Sequence, residues 1–383
     1  MRVIHVVWGA GFGGIERIVS DLARVQAATE RIETGVLVCG AAPGDPSLAA
    51  YASPGVVVSA GGLRSGFDAR PGHLKAIARA LSRCDVIHLH GFTPAVAVAI
   101  GWAGRPVLYT EHGLLGMDAR RPSRAAMKQS AKGVFLRRAV SMTAGVSEWV
   151  ALSAQRKYRL APERVVHVAN GVDLRSIRAG RSRTEVLAGE NVDPAAWVMV
   201  VTARFVPFKR IDRLLAAAAR LGRYGREWVL LLAGSGPAEQ ALRDQAAALG
   251  ISEQVKFLGY RKDVWDLVGA ADLISVPSER EPFGLVVTEA MALDRPVAAF
   301  ADSGGPGEVI RAVGGGCVVD TVEEYTAVLE QSRTGLPVTG LRPLDRDLLE
   351  QVYSIEAAAA AYAKLYATVV ENSRNTKRAK GRR

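Results

Sequence analysis

The sequence predicts an α/β protein built from two doubly wound parallel sheets. Short apolar runs rich in β-branched residues alternate with helical patterns along most of the chain, as strands covered by helices on both faces do. The rhythm breaks over 171–195 and then restarts. A length of 383 residues suits two domains that each bury their own core.

In order, the first half reads as a strand at 3–8 running into a glycine turn, a helix at 15–27 and a strand at 34–39. A helix at 73–83, a strand at 86–90, a helix at 94–101 and a strand at 106–111 follow. A basic helix near 124–138, a strand at 141–146, a helix at 147–156 and a strand at 164–170 complete it. The polar, glycine-bearing stretch 173–195 is expected to be a linker between an N-terminal domain, 1–172, and a C-terminal domain, 196–350. The second half reads as strands at 197–203, 228–234, 255–259, 273–277 and 296–300, with helices at 210–221, 237–249, 262–269 and 285–293 between them. A last helix, 351–373, carries Tyr362, Leu365, Tyr366 and Val369 on one stripe and is expected to pack back on the N-terminal domain, ahead of a basic tail at 374–383. Ligands of such sheets bind beyond the carboxyl ends of the strands, so the two sheets are expected to face a ligand across a cleft.

Composition narrows the function. Cys39, Cys84 and Cys317 are widely spaced and odd in number, with no metal or disulfide spacing, which fits a reducing cytoplasm. No run approaches the ~20 apolar residues of a membrane span, and the start reads as a first strand rather than a signal peptide. The net charge of +11 is uneven. The tail is almost wholly basic, and 120–138 carries basic residues at 120, 121, 124, 128, 132, 137 and 138 with no acidic ones. Such runs suit either plain solvation or an anionic partner, such as a membrane surface; no nucleic acid is expected.

The most informative stretch is Ser278 to Ala292. Glu281 precedes Pro282, which holds it in an extended loop, and Gly284 opens a helical pattern with Glu289 in its second turn. Free N–H groups at that helix start suit an anion, while carboxylates repel phosphate and suit hydroxyls. A nucleotide sugar has that layout. Arg204 stands just past a strand and Lys209 at a helix start, two cations able to neutralise a diphosphate without a metal. Gly234 and Gly236 end another strand and are expected on the donor-binding edge. The GAGFGG run at 9–14 is a G-x-G-x-x-G between strand and helix, but no carboxylate ends the second strand as a dinucleotide site requires. It reads as either a tight turn or a loop whose Gly13 and Gly14 accept a phosphate or hydroxyl. His90 and His112 end neighbouring strands, with His88 on the face of His90. Asp345 and Asp347 form a D-x-D away from the strand ends and read as chance.

Taken together, EPFGLVVTEAMA at 281–292, with GGIE (13–16), TEHG (110–113), GVS (145–147), NGVD (170–173), RFVPFK (204–209), LLAGSGP (231–237), FLGY (257–260) and SGGPGEVI (303–310), resembles the retaining glycosyltransferases of family 4, group 1, with the GT-B fold. The resemblance covers nearly the whole chain. It implies that Arg204 and Lys209 hold the donor diphosphate, Glu289 the ribose hydroxyls and Glu281 the donor sugar. It further implies that Phe283, Gly284, Leu285 and Val286 line the donor, that the backbone at Tyr260 and Arg261 cradles the base, and that His112 meets the transferred sugar. Gly13, Gly14 and His90 fall on the acceptor side. Two departures stand out: Asp294 occupies a usual glycine, and the loop after Val319 lacks the usual Pro-Gly-Asp turn. The expected function is transfer of a hexose from a nucleoside-diphosphate sugar to a glycan or lipid-linked acceptor, with neither cofactor nor metal, in bacterial cell-surface polysaccharide or glycolipid synthesis. The expected location is cytoplasmic or peripheral on the inner membrane face. A nucleotide-sugar epimerase and a non-catalytic nucleotide-sugar-binding protein are the alternatives.

Overall fold

The structure is a computed structural model of the 383-residue chain. It describes all residues except 10–12, 30, 114–121, 223–226 and 381–383, and it leaves the side chains of 122–125 and 376–380 undescribed. The chain divides into two compact units, 1–172 with 352–383, and 173–351. No described helix is long and apolar enough to cross a membrane.

The first unit contains β1 (Arg2–Val7), α1 (Gly14–Ala27), β2 (Glu33–Val38), β3 (Val56–Ala60), α2 (Pro71–Leu81), β4 (Val86–Leu89) and α3 (Pro94–Ala103). It continues with β5 (Val107–Glu111), α4 (Pro122–Ala139), β6 (Met142–Gly145), α5 (Glu148–Tyr158) and β7 (Val165–His167). Its seven strands are parallel in the order β3-β2-β1-β4-β5-β6-β7. β3 had no sequence expectation, although Val56, Val57 and Val58 form a short β-branched run after Pro54-Gly55; it is the edge strand of the sheet, and its residues are half-buried or exposed.

The second unit contains α6 (Arg183–Gly189), β8 (Trp197–Thr202), α7 (Ile211–Ala218), β9 (Trp228–Ala233), α8 (Glu239–Ala248), β10 (Val255–Gly259), α9 (Val264–Ala270) and β11 (Leu273–Val276). Then come α10 (Leu285–Ala292), β12 (Val297–Phe300), α11 (Gly305–Val313), β13 (Gly316–Val319), α12 (Val322–Thr334) and α13 (Arg346–Tyr353). The long α14 (Ile355–Lys380) returns to the first unit. The six strands of the second unit are parallel in the order β10-β9-β8-β11-β12-β13. In both sheets the first strand sits inside and the order reverses beside it, so each unit is Rossmann-like with a switch point, β1/β4 and β8/β11.

Residues 173–195 are more than a linker. Ser182 and Glu185 form a capping box that starts α6, with Ser182 Oγ accepting from the Glu185 N–H and Glu185 Oε2 accepting from the Ser182 N–H at 2.8 Å. Val186 and Leu187 are fully buried. The D-x-D is a helix cap: Asp345 Oδ1 accepts from the Leu348 N–H at 2.9 Å. Asp294 fills its glycine position at φ 57°, a left-handed conformation that aspartate tolerates better than most residues. After Val319, Thr321 caps α12 directly by accepting from the Glu324 N–H at 3.1 Å, which replaces the missing turn.

α14 completes the first unit's core. Ile355, Tyr362, Tyr366 and Val369 are buried against Val3, Leu22, Val86 and Leu108, and each such side chain contributes about 1.5–3 kcal/mol. Gly171 lets the helix in, since a Cβ there would lie 2.6 Å from Ile355 Cα and 2.7 Å from Ala358 Cβ. Gly171→Ala is therefore expected to lower the urea midpoint of the first unit. Gly101→Ala, inside α3 with nothing within 4 Å, is expected to raise stability by about 0.5–1 kcal/mol. Equal midpoints for the two variants would contradict this packing.

Candidate functional site

In the second unit the strand ends converge on one edge of the sheet. After β8 the chain passes Arg204 and Phe205 and makes a short turn, Pro207–Lys209. After β11 it forms the loop that carries Glu281. Lys209 Nζ donates to Glu281 Oε1 at 2.5 Å, and both side chains are largely buried. The other oxygen, Glu281 Oε2, is buried and has no hydrogen-bond partner. An orphaned carboxylate oxygen is costly, and a hydroxyl would satisfy it. Lys209 retains two N–H donors beyond the one given to Glu281. Arg204 is exposed and makes no ion pair or side-chain hydrogen bond among the described residues.

The loop is held from behind. The Glu281 N–H donates to Ser303 O at 2.7 Å, and the Gly305 N–H donates to Glu281 O at 2.9 Å. The buried Arg213 guanidinium donates to Pro277 O at 2.6 Å, to Ser278 O at 2.7 Å and to both Asp302 oxygens, and lies 3.7 Å from the Phe300 ring centre. Arg210 pairs with Asp212 and Glu279. Sequence reasoning passed over Arg213 because it lies inside the helical pattern; the signal was a charged residue on an otherwise apolar helix face, between Ile211 and Leu214.

Gly284 turns the chain at φ 80° and starts α10, which has no side-chain cap. The N–H groups of Leu285 and Val286 thus lack helical partners, while the Val287 N–H donates to Gly284 O at 2.9 Å. Phe283 is buried, while Leu285 and Val286 are half-buried. Glu289 accepts from Trp265 Nε1 at 3.4 Å. Gly234 and Gly236 serve backbone contact: a Cβ would lie 1.8 Å from Ala203 O at Gly234 and 2.3 Å from Phe205 O at Gly236. They let the β9 turn close on the Arg204 segment. Tyr260 is exposed, and the Arg261 side chain is turned to Asp263 and Glu190, which raise its pKa. The Arg261 side chain is thus engaged within the protein, whereas the Tyr260 side chain is open.

In the first unit, register builds a histidine cluster. His5 on β1 pairs with His88 on β4, and His90 and His112 continue the same face. His112 Nε2 lies 3.0 Å from His90 Nδ1, His90 Nε2 lies 3.0 Å from His5 Nδ1, and His5 Nε2 lies 2.9 Å from Gln26 Oε1. Gln26 Nε2 donates to the Tyr366 hydroxyl at 3.1 Å, which lies 2.7 Å from His88 Nδ1. His88 Nε2 lies 2.7 Å from Thr110 Oγ1. His5, His88 and His90 nitrogens gather within 4.8 Å, yet each ring nitrogen already has a protein partner, so the chemistry of the set is a hydrogen-bond network. His112 Nδ1 alone is buried without a partner. A cavity of about 500 Å³ in this unit is lined by Trp8, Phe67, His90, Glu111, His112 and Lys128, among others.

One expectation changes here. Lys132 does not belong to a basic surface: it is 1% exposed, pairs with Glu111 and lies over the rings of Tyr109 and Tyr158, because a buried ammonium needs a carboxylate. Arg120, Arg121 and the Arg124 side chain, and the end of the basic tail, lie outside the described residues. At the start of α1 the Gly13 N–H has a partner of its own. Glu16 Oε2 accepts from the Gly13 N–H at 3.1 Å, which sets a carboxylate at the start of α1. Gly14 is exposed beside it, and 10–12 lie outside the described residues.

Residues 12–176 match the family model described as Glycosyltransferase Family 4, and residues 182–333 match that of Glycosyl transferases group 1. The D-inositol 3-phosphate glycosyltransferase of Rhodococcus jostii (strain RHA1) is 30% identical over 356 residues, 84% of this chain and 77% of that protein. The enzyme of the same name from Mycobacterium sp. (strain KMS) is 30% identical over 342 residues, 81% and 75% of the two chains. Among solved structures, Anabaena Alr3699/HepE in complex with UDP and glucose superposes with a TM-score of 0.75 at 20% identity, covering 96% of this chain and 100% of that one. Sucrose-phosphate synthase from Thermosynechococcus elongatus gives a TM-score of 0.72 at 19% identity, covering 97% and 99%.

Burial lowers the pKa of His5 to about 4 and of His112 to about 3, and pushes His88 and His90 well below 6.5. The unfolded chain binds protons on these rings below about pH 6.5 while the folded chain does not. Their contribution to stability is full above that pH and is lost as pH falls toward 4 for His5 and toward 3 for His112. Between about pH 7.5 and about pH 5, urea unfolding is expected to show a loss of about 2 kcal/mol per ring that must charge on unfolding. A midpoint unchanged over this range would contradict the network.

Proposed function

Because the chain belongs to the group 1, family 4 glycosyltransferases of GT-B fold, we propose that it moves a hexose from a nucleoside-diphosphate sugar to an acceptor hydroxyl, with retention and without a divalent metal. The divided carboxylate of Glu281 carries this reading: one oxygen is held by Lys209 and the other is buried without a partner. A sugar hydroxyl supplies what Oε2 lacks, and a diphosphate accepts from the remaining N–H groups of Lys209, from Arg204 and from the start of α10. Glu289 takes the ribose hydroxyls.

In the reaction, the bond between C1 and the β-phosphate oxygen breaks, and its electron pair leaves with the diphosphate. Lys209, Arg204 and the α10 N–H groups stabilise that charge. The acceptor oxygen bonds to C1 from the same face, and its proton passes to the leaving phosphate oxygen. No side chain needs to act as a covalent nucleophile. The names of the relatives point to a polyhydroxylated acceptor bearing a phosphate, and Lys128 at the first unit's cavity suits such an anion. A glycan or lipid-linked acceptor at an anionic membrane surface is the wider class, reached through Lys128 and the exposed Arg137 and Arg138 of α4.

Donor hydrolysis over a panel of nucleotide sugars, starting with UDP-glucose, tests the reading. Release of nucleoside diphosphate and free sugar is expected. An isomerised sugar nucleotide marks an epimerase, and binding without turnover marks a binding protein. Lys209→Ala and Glu281→Ala are each expected to cut kcat/KM by about 10²-fold or more while leaving the fold intact, and EDTA is expected to have no effect. Near-normal turnover in both variants, or a requirement for Mg²⁺ or Mn²⁺, would refute the assignment. Unchanged binding to anionic vesicles after charge removal at Lys128, Arg137 and Arg138 would refute the membrane part alone.

A further inference from the structure

The hydrogen-bond chain behind His112 has a direction. Burial keeps His5, His90 and His112 neutral near pH 7. A neutral imidazole donates from one nitrogen and accepts at the other. With ring nitrogens meeting end to end at 3.0 Å from His112 through His90 to His5, the proton position in one ring dictates the others. The chain therefore has two states, with every proton directed toward Gln26 or every proton directed toward His112.

Gln26 decides between them. Its Oε1, which only accepts, faces His5 Nε2 at 2.9 Å, and its Nε2 donates to the Tyr366 hydroxyl at 3.1 Å. The Tyr366 hydroxyl, 2.7 Å from His88 Nδ1, passes the same sense on by donating to that ring. His5 must then carry its proton on Nε2, which leaves Nδ1 to accept from His90 Nε2. His90 Nδ1 accepts in turn from His112 Nε2. The last atom, His112 Nδ1, is a bare lone pair, buried and without a partner, on a residue that lines the cavity.

We propose that Gln26, acting through His5 and His90, is a positioning residue that locks His112 in the Nε2–H tautomer, so that Nδ1 accepts a hydrogen bond from a substrate hydroxyl. A lone pair in that place repels a carbonyl or phosphate oxygen and selects a hydroxyl. Assigning that hydroxyl to a sugar rests on the proposed function, whereas the tautomer does not.

The full chain, ¹⁵N-labelled at its six histidines and free of any substrate, tests this directly. Two-bond ¹H–¹⁵N correlation spectra report which ring nitrogen bears the proton, with signals assigned by single substitutions. Nε2–H is expected on His5, His90 and His112. Gln26→Met removes the acceptor and is expected to convert His112 to a mixture of tautomers. Tyr366→Phe is a milder change that leaves the Gln26 amide free to turn, and it is expected to act in the same sense. An Nδ1–H His112 in the wild type, or a His112 signal unmoved by both variants, overturns the proposal. A wild type that shows the expected pattern yet turns over no nucleotide sugar supports this assignment and refutes the sugar-transfer reading.

Discussion

All strands of a parallel sheet end at the same edge, and the functional chemistry of this chain follows from that constraint. In the second unit it gathers Arg204, Lys209, the Gly234–Gly236 turn, Glu281 and Gly284 from sequence positions up to 80 residues apart onto one rim. In the first unit it sets His5, His88, His90, Thr110 and His112 on a single face. The two units apply the constraint differently. One sets charged groups at strand ends; the other buries uncharged rings beneath α14.

The charges of the second unit are arranged so that few are idle. Arg213 is consumed by carbonyls and by Asp302, and it therefore acts as a brace for the loop. Arg210 and Arg261 are neutralised by neighbouring carboxylates. Lys209 is half-committed, Arg204 is uncommitted among the described residues, and Glu281 keeps one oxygen unused. Such a distribution of satisfied and unsatisfied groups is what a site needs if it is to gain energy from a ligand rather than from itself.

Much of this was legible in the sequence. Apolar runs gave the central strands, because strands buried on both faces need continuous hydrophobicity. The proline and glycine around Phe283 gave the loop and the start of α10, because they restrict the backbone locally. Less local features were hidden. β3 was passed over although Val56, Val57 and Val58 run together, because the run is short and the half-exposed edge strand ends in Ser59 and Ala60 rather than continuing apolar. α6 escaped notice although Ser182 and Glu185 spell a capping box. Lys132 counted as surface charge because its partner, Glu111, lies 21 positions away. The link from Gln26 to Tyr366 spans 340 positions, and only the return of α14 creates it. At the glycines of the β9 turn the structure adds a packing reason that the sequence did not show, since a Cβ there would meet the backbone of Ala203 and Phe205.

The proposed sugar transfer depends on the unpartnered oxygen of Glu281 holding a hydroxyl on the transferred sugar. A double-mutant cycle between Glu281→Gln and singly deoxygenated forms of the donor, read as kcat/KM, measures that contact most directly. Strong coupling is expected at one sugar position, where removing the hydroxyl sharply reduces the loss caused by Glu281→Gln and leaves only the part due to the weakened Lys209 pair. Additive losses at every position would show that Glu281 touches no sugar hydroxyl and would contradict the account.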